Sequence, residues 1–311
     1  MQLDEHLKTL STEDHLQQVI MACAQSVYEI AALVHTGAAL GYAGSQNVFG
    51  EQQLKLDVAS NDILLKLLGD QPLVDFVASE EMDHEQQLHV SNTEEGGPQS
   101  SGEFSVAFDP LDGSSLVDVN FAVGTIIAIY PKGSFIGKKP GEMHASVIAV
   151  YGPRTTLFVS LKGKGTHQYL LTDGGFMLQK ESLKVADEGK YFAPGNLRAC
   201  LENPSYKKLV DFWLESQYTL RYSGGMVPDI NHIFLKGKGV FTYPGYPGQP
   251  DGKLRLLFEC GTMTFAMVEA GGYGTDGKIS LLDKSIEALD QRSPIFVGSV
   301  KEVEKAVSFF V

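Results

Sequence analysis

The stretch Phe108-Asp109-Pro110-Leu111-Asp112-Gly113-Ser114-Ser115 carries the densest chemistry in the chain. It sets two carboxylates three residues apart on a turn that Pro110 and Gly113 tighten, then supplies two hydroxyls and backbone N–H groups where regular structure resumes. Carboxylates beside such donors suit a cation next to a phosphate. Phe104 to Phe108 read as a short strand, which puts the acids at its C-terminal end, a usual place for sites in α/β proteins. Taken alone, Asp-Pro and Asp-Gly pairs are turn formers before they are ligands, so support must come from elsewhere in the chain.

Other acids offer it. Glu80-Glu81 follow the apolar run Leu73 to Ser79, and Glu259 interrupts the apolar face of a helical pattern from Leu254 to Ala270. Hard cations such as Mg²⁺ take oxygen ligands, and several carboxylates gather closely only when a cation lies between them. Judged locally, Glu80-Glu81 is a solvated strand edge. Glu259 lies between Leu256-Leu257-Phe258 and Met263 to Met267, so a partly buried acid there needs a partner. Lys253 and Arg255 offer it a salt bridge, or else clamp a phosphate; local sequence leaves both open. Tyr222, Tyr243 and Tyr246 close or follow strands, where a phenol donates to a phosphate oxygen or simply edges the core. Gly224-Gly225 precede a helix near Met226 whose N-terminus can face an anion. His144, His167 and His232 lack metal-ligand spacing, and the chain has no GxSxG, P-loop or GxGxxG signature in the required setting. Hydrolase triads, P-loop kinases and dinucleotide enzymes are disfavoured.

The 311 residues allow one large domain or two of ordinary size. With 43% hydrophobic and 20% charged residues the composition is globular, and no stretch approaches the ~18 to 20 consecutive apolar residues of a membrane span. A net charge of −13 argues against nucleic acid or an anionic membrane as partner, while local cations and a metal still permit a small phosphorylated substrate. Cys23, Cys200 and Cys260 form neither a disulfide framework nor a zinc pattern. A reducing compartment and a cytoplasmic setting are expected, with a plastid as the alternative had a transit peptide been removed.

These residues need positioning elements. Ser11 and Asp14 resemble a capping box for a long amphipathic helix reaching Gly37. Ala38 to Gly50 read as a loop, and Gln52 to Leu68 as a helix carrying Asp57. Leu73 to Ser79 is a strand, and Asp83 to Ser101 reads as an exposed loop. From Val123 to Gln179 the pattern is strand after strand, which suggests a mixed or largely antiparallel sheet. Near Ala186 to Lys190 it shifts to alternating helices and strands, so the expected domains are 1–187 and 188–311. Ser299 with Glu302 is expected to cap a terminal helix.

Three motifs together resemble the sugar bisphosphatases, within the lithium-sensitive, Mg²⁺-dependent phosphomonoesterases. They are Ser79-Glu80-Glu81, Phe108 to Ser115, and Gly252-Lys253-Leu254-Arg255-Leu256-Leu257-Phe258-Glu259, and the likeness covers almost the whole chain. Phe192 to Ala199 and Thr219 to Asp229 are more similar to the sedoheptulose-1,7-bisphosphatase branch than to the fructose-1,6-bisphosphatase branch, which usually has Ser at the position of Gly225. The missing side chain is expected to leave room for a longer sugar.

The resemblance implies an α/β sugar-phosphatase fold, layered α-β-α-β-α with mixed sheets. It implies Mg²⁺, two or three per site with Mn²⁺ as the alternative, on Glu80, Asp109, Asp112, Glu259 and the Leu111 carbonyl. Glu51 joins them, one methylene longer than the family's usual Asp. Asp57 and Glu81 are the implied catalytic pair. Gly113, Ser114 and Ser115 are to hold the 1-phosphate; Asn196, Arg198, Tyr222, Gly224, Gly225, Met226, Tyr243, Lys253 and Arg255 are to hold sugar and distal phosphate, and Arg221 is to reach a neighbouring subunit. The implied activity is hydrolysis of the 1-phosphate of sedoheptulose 1,7-bisphosphate by metal-activated water in a homodimer, with a homotetramer as the alternative. A fructose or dual-specificity bisphosphatase is the nearest rival, and a catalytically silent sugar-phosphate sensor is the rival from another class. The chain lacks the plastid enzymes' cysteine pair in Ala38 to Val48, and has Glu103-Phe104 where AMP-responsive relatives have Lys-Tyr, so neither thioredoxin switching nor AMP inhibition is expected.

Overall fold

A computed structural model describes residues 1–37, 41–46, 52–93 and 97–310. Two sheets and three sets of helices alternate in five layers. The larger sheet has eight strands in the spatial order Gly175–Lys180, Gly165–Thr172, Thr155–Leu161, Ala145–Tyr151, Val123–Pro131, Phe104–Asp112, Val74–Ser79 and Gln86–Gln87. Its neighbours are antiparallel except Val74–Ser79 and Phe104–Asp112, which run parallel. The smaller sheet has five strands, in the order Thr219–Leu220, Tyr191–Pro194, Val240–Tyr243, Ile295–Gly298 and Tyr273–Thr275, with both senses of pairing.

Ala145–Tyr151 and Thr155–Leu161 are buried at every position, so the large sheet must be covered on both faces. On one face Val19, Ile20, Val27 and Ile30 of the helix Asp14–Thr36, with Leu64 and Leu68 of Lys55–Gly69, meet Val106, Phe108, Ile127 and Val147. By length and composition Asp14–Thr36 would span a membrane, but that apolar face is already packed on the sheet. On the other face lie the helices Met226–Lys236 and Gly261–Glu269, filling the layer between the sheets with Ile230, Phe234, Met263 and Phe265. Tyr206, Leu209 and Trp213 of Pro204–Glu215 and Val303 of Val300–Ser308 close the outer face of the small sheet. Every strand of the large sheet precedes residue 181 and every strand of the small one follows residue 190, yet helices of the second half complete the cover of the first sheet.

Several expected elements are corrected. Tyr42–Gln46 is a strand paired with Gln52–Leu54 inside the expected loop, so the next helix starts at Lys55; residues 38–40 and 47–50 lie outside the described set. The expected loop from Asp83 to Ser101 holds the edge strand Gln86–Gln87 and a hairpin of Val90–Thr93 with Gly97–Ser100. These polar strands lack the apolar alternation that betrays a half-buried strand. Leu3–Thr9 is a helix that the sequence did not suggest. The long helix begins at Asp14 without a side-chain cap. Nor does Ser299 cap the last helix: its Oγ accepts the Gly239 N–H at 3.0 Å, while Glu302 accepts from the Gly189 N–H at 3.2 Å and the Tyr218 hydroxyl at 2.7 Å. Tertiary partners outcompete the local cap.

Gly124 pairs with Asp112 across the sheet, and a Cβ there would fall inside contact distance of Val227 and the Ala149 carbonyl. The helix Met226–Lys236 can sit against this strand because the position carries no side chain. Gly124→Ala is expected to cost about 1–3 kcal/mol in denaturant unfolding, since the neighbours are backbone and a packed valine. An unchanged midpoint would contradict this close approach.

Candidate active site

The parallel strands Val74–Ser79 and Phe104–Asp112 end side by side, and the Glu80 N–H donates to the Phe108 carbonyl at 3.0 Å. This brings Glu80 and Glu81 beside Asp109. In a regular strand residues three apart point to opposite faces. Here Asp109 pairs with Ile126 and Asp112 with Gly124, three steps against two, so one extra residue restores the two acids to one side. Pro110 and Leu111 therefore belong to a bulged strand end rather than the expected turn. Pro110 has no N–H to lose at the bulge, and its carbonyl accepts the Thr125 hydroxyl at 2.8 Å.

The third acid comes from the second half. The expected continuous helix from Leu254 opens as a wider π-helical turn, Leu256–Cys260, before the α-helix Gly261–Glu269. Such turns recur at functional sites. Glu259 folds back so that its carboxylate accepts the Arg255 N–H at 2.6 Å. Ligand oxygens of Asp109, Asp112 and Glu259 all lie within 4.8 Å of one another, and all three residues are buried. Backbone donors fix the other two: Leu111 N–H to Asp109 at 2.9 Å, and Val227 N–H to Asp112 at 2.8 Å. Asp57, in the first turn of Lys55–Gly69, accepts the Leu54 N–H at 2.9 Å and so stabilises the helix start while facing the same cavity.

Burial dominates the electrostatics. It pushes Asp109, Asp112 and Glu259 above the usual carboxylate range; repulsion from Asp112 adds to the shift of Asp109 and Glu259, and repulsion from Asp229 to that of Asp112. Asp57 is pushed up to about 6, first by burial and further by Glu81, against the Leu54 N–H. Arg255 is buried and forms an ion pair with Glu80. Of the alternatives the sequence left open, the guanidinium thus serves Glu80 and the backbone N–H serves Glu259. Lys253 lies on the cavity wall, where its charge favours ionised Asp112 and Glu259.

The acids outnumber those cations. Asp57, Asp109, Asp112, Asp229 and Glu259 are buried along one cavity of about 510 Å³, and Glu80 and Glu81 join its wall. One oxygen each of Glu80 and Asp57 is buried with no hydrogen-bond partner. Clustered hard oxygen donors with unmet acceptor capacity fit a divalent cation of the Mg²⁺ or Mn²⁺ kind. Glu51 lies outside the described residues.

Leu111, Gly113, Ser114 and Ser115 line the cavity, the serines opening a 3₁₀ turn whose first N–H groups have no partner within it. Tyr222, Gly224, Gly225, Met226, Tyr243, Lys253 and Arg255 complete the sequence-derived wall. Asn196, Arg198 and Arg221 lie outside it. Asn196 donates to the Pro244 carbonyl at 3.4 Å, and Arg221 donates to its neighbouring Leu220 carbonyl and sits over the Tyr191 ring. Arg198 is exposed, though its charge reaches Tyr222 and Tyr243. Glu103 is remote from the cavity and pairs with His15 at 2.9 Å. Asp229, Phe241 and Leu254 are wall residues that the sequence reading did not assign. Asp229 was detectable, because an acid inside the apolar pattern of Met226–Lys236 breaks its phase as Glu259 does.

Gly225 lines the cavity, and a Cβ there would also meet Leu116 Cδ1 at 3.1 Å and the Pro228 ring at 3.2 Å. The absent side chain therefore lets this segment pack against the 3₁₀ turn Ser114–Val119.

Bulge-aligned acids beside a turn with open N–H groups, with Lys253 on the same cavity wall, fit a metal-dependent phosphatase. Residues 1–181 match the family model described as "Fructose-1-6-bisphosphatase, N-terminal domain", and residues 185–310 match the corresponding C-terminal domain. The chain belongs to the fructose-1,6-bisphosphatase family, whose members hydrolyse sugar bisphosphates. It is 42% identical over 302 residues to a chloroplastic sedoheptulose-1,7-bisphosphatase of Triticum aestivum, covering 97% of this chain and 74% of that protein. It is also 42% identical over 308 residues to a class 1 fructose-1,6-bisphosphatase of Geobacter metallireducens, covering 99% and 94%. A Toxoplasma gondii crystal structure, provisionally named as a sedoheptulose-1,7 bisphosphatase, superposes with a TM-score of 0.90 at 36% identity over 100% of this chain and 98% of that one.

Raised carboxylate pKa values have a defined sign in stability. For the metal-free chain the penalty is absent below the unfolded range near pH 4 and grows as pH rises through about 7, the value for Glu259. The metal-free Tm should therefore fall between pH 5 and pH 8, and Mg²⁺ should raise it more at pH 8 than at pH 5. Equal Mg²⁺ effects at both pH values in thermal unfolding would contradict the cluster's role.

Proposed function

We propose that the chain hydrolyses the 1-phosphate of sedoheptulose 1,7-bisphosphate, giving sedoheptulose 7-phosphate and phosphate, with fructose 1,6-bisphosphate as the competing substrate. The observation that carries a bisphosphatase reading is the buried Asp109, Asp112 and Glu259 cluster sharing a cavity with Gly113 to Ser115 and with Lys253, Tyr222 and Tyr243. One end suits a cation and a phosphoryl group. The other offers donors for a second phosphate. The sedoheptulose preference rests on the motifs Phe192 to Ala199 and Thr219 to Asp229, with the Gly225 position packed against Leu116 and Pro228.

Glu80, Asp109, Asp112, Glu259 and the Leu111 carbonyl would hold Mg²⁺, or Mn²⁺ in its place, with Glu51 at the margin. Such a cation supplies Lewis acidity, offsetting phosphoryl charge and making water easier to deprotonate. Asp57, at about 6, takes up a proton near neutral pH and, with Glu81, orients the attacking water. Gly113, Ser114 and Ser115 hold the 1-phosphate through N–H and O–H donors, which stabilises charge as the bond to the sugar breaks. Lys253, Tyr222, Tyr243 and Arg198 hold the distal phosphate, with Asn196, Gly224, Met226 and Arg255 beside the sugar. Arg221 is exposed and lies outside the lining of its own cavity, which supports its service to a neighbouring subunit in a homodimer, a homotetramer being the alternative. Cys23, Cys200 and Cys260 are unpaired, in keeping with a reducing, cytoplasmic setting.

Phosphate release from both sugars in Mg²⁺ tests the reading, with the higher kcat/KM expected for sedoheptulose 1,7-bisphosphate. No release from either would favour the silent sensor. Asp109→Asn should lower kcat by more than about a hundredfold while leaving circular dichroism unchanged. Gly225→Ser should depress kcat/KM on both sugars together, through Leu116; a switch in sugar preference would favour the pocket-room explanation.

A further inference from the structure

Asp229 is 4% exposed and lies on the cavity wall, in the first turn of Met226–Lys236. Its Oδ1 accepts the Ser223 N–H at 2.7 Å, reaching back across the helix start to the segment that precedes it. The same junction is tied twice more: the Asp229 N–H donates to the Gly225 carbonyl at 3.3 Å, and the Gly225 N–H donates to Ser223 Oγ at 3.3 Å. Gly224 between them has φ +103°, a conformation with no side chain to hold it. Tyr222 and Gly224, both on the cavity wall, thus depend on a tether from the helix behind them. One residue into that helix, the Val227 N–H holds Asp112 at 2.8 Å. A single helical turn thereby fixes a metal-site carboxylate with its backbone and the sugar-facing segment with a side chain. The helix start also contacts the phosphate turn, because Gly113 and Gly225 approach so closely that a Cβ at Gly113 would lie 3.5 Å from the Gly225 Cα.

A carboxylate is an expensive tether in this cavity. Asp229 adds negative charge near Asp112 and Tyr222, and its Oδ2 is buried without a hydrogen-bond partner. What it contributes is one well-placed acceptor. We propose that Asp229 is a positioning residue that holds Tyr222-Ser223-Gly224-Gly225 as the sugar-facing wall, in fixed relation to Asp112 and the phosphate turn. This rests on the sugar bisphosphatase reading of the site. Asp112 keeps its own Val227 N–H, so loss of the tether itself acts on substrate binding, apart from the effect on the cation of removing the Asp229 charge beside Asp112.

The amide variant makes a clean test, because Asp229→Asn keeps the Oδ1 acceptor and exchanges only the unpartnered oxygen. With the bisphosphate that the wild type turns over, Asp229→Ala should raise KM about tenfold or more with kcat within about threefold, as expected for loss of a buried charge-assisted hydrogen bond felt in substrate binding. Asp229→Asn should bring KM back to within about threefold of wild type, and the Mg²⁺ activation constant should move alike in both, since both remove the same charge beside Asp112. Hydrogen exchange gives a readout independent of turnover: amides of Ser223 to Gly225 should exchange faster in Asp229→Ala and at the wild-type rate in Asp229→Asn. Overturning results would be an unaltered KM in Asp229→Ala, a fall in kcat alone, an Asp229→Asn variant as impaired as Asp229→Ala, or unaltered exchange. If Asp229→Ala does not fold, Asp229→Asn decides alone: near-wild-type KM and exchange support the tether, and a raised KM with fast exchange refutes it. A wild type inactive on both sugars would defeat the bisphosphatase reading, while the exchange comparison would still decide the tether.

Discussion

Excess buried negative charge is the constraint on which the rest of the structure depends. Asp57, Asp109, Asp112, Asp229 and Glu259 are buried along one cavity whose wall supplies Lys253 and Arg255 as cationic side chains. Left to themselves such groups neutralise by taking up protons, and the upward shifts of Asp57, Asp109, Asp112 and Glu259 express that tendency. The fold answers with directed backbone donors. Leu54, Leu111, Val227 and Arg255 each give an N–H to one carboxylate, so each acid is held in place while a further lone pair stays open to the cavity. An array of this kind is stable with a hard cation and poorly balanced without one.

Bringing these acids together uses both halves of the chain. Parallel pairing in the large sheet sets Glu80 beside Asp109, and the one-residue bulge turns Asp112 to the same side. Asp112 is then clasped by a helix from the second half, and Glu259 arrives on a π-helical turn in the layer between the sheets. The cavity therefore forms only when the middle helical layer is seated. Gly124 matters for this reason more than for any chemistry, since it lets that layer approach the strand paired with the one that carries the acids.

Much of the site could be read from the sequence because its chemistry is concentrated. Glu80, Glu81 and the Asp109 to Ser115 run close apolar strands, and Glu259 stands out in apolar surroundings; local pattern left each of them open, and it was their combination and the family resemblance that marked them as a site. The strands Val123–Pro131, Ala145–Tyr151 and Thr155–Leu161 were legible for the same reason, being long apolar runs between turns. Other features depend on partners that a linear pattern does not reveal. The segments Val90–Thr93 and Gly97–Ser100 carry no apolar alternation in sequence, and Ser299 and Glu302 spend their side chains on distant backbone and on Tyr218. Gly225 is the instructive case. Its type was visible, but the direction of its absent side chain, toward Leu116 and Pro228, belongs to the packed structure.

In the proposed function, charge and sugar selection fall to different parts of one cavity, the cation end to the strand ends and the sugar end to Tyr222, Gly224 and Gly225 with Tyr243 and Lys253, all of which line it. The central claim is that a divalent cation takes the place of protons on the buried acids. Its most direct test is calorimetric titration of Mg²⁺ into the metal-free chain at pH 7 in two buffers of unlike ionisation enthalpy, which counts protons released per cation bound. Proton release is expected, because Glu259, raised to about 7, is partly protonated at that pH and burial raises Asp109 in the same direction. Binding with no proton release, or undiminished binding in Asp109→Asn, would contradict it.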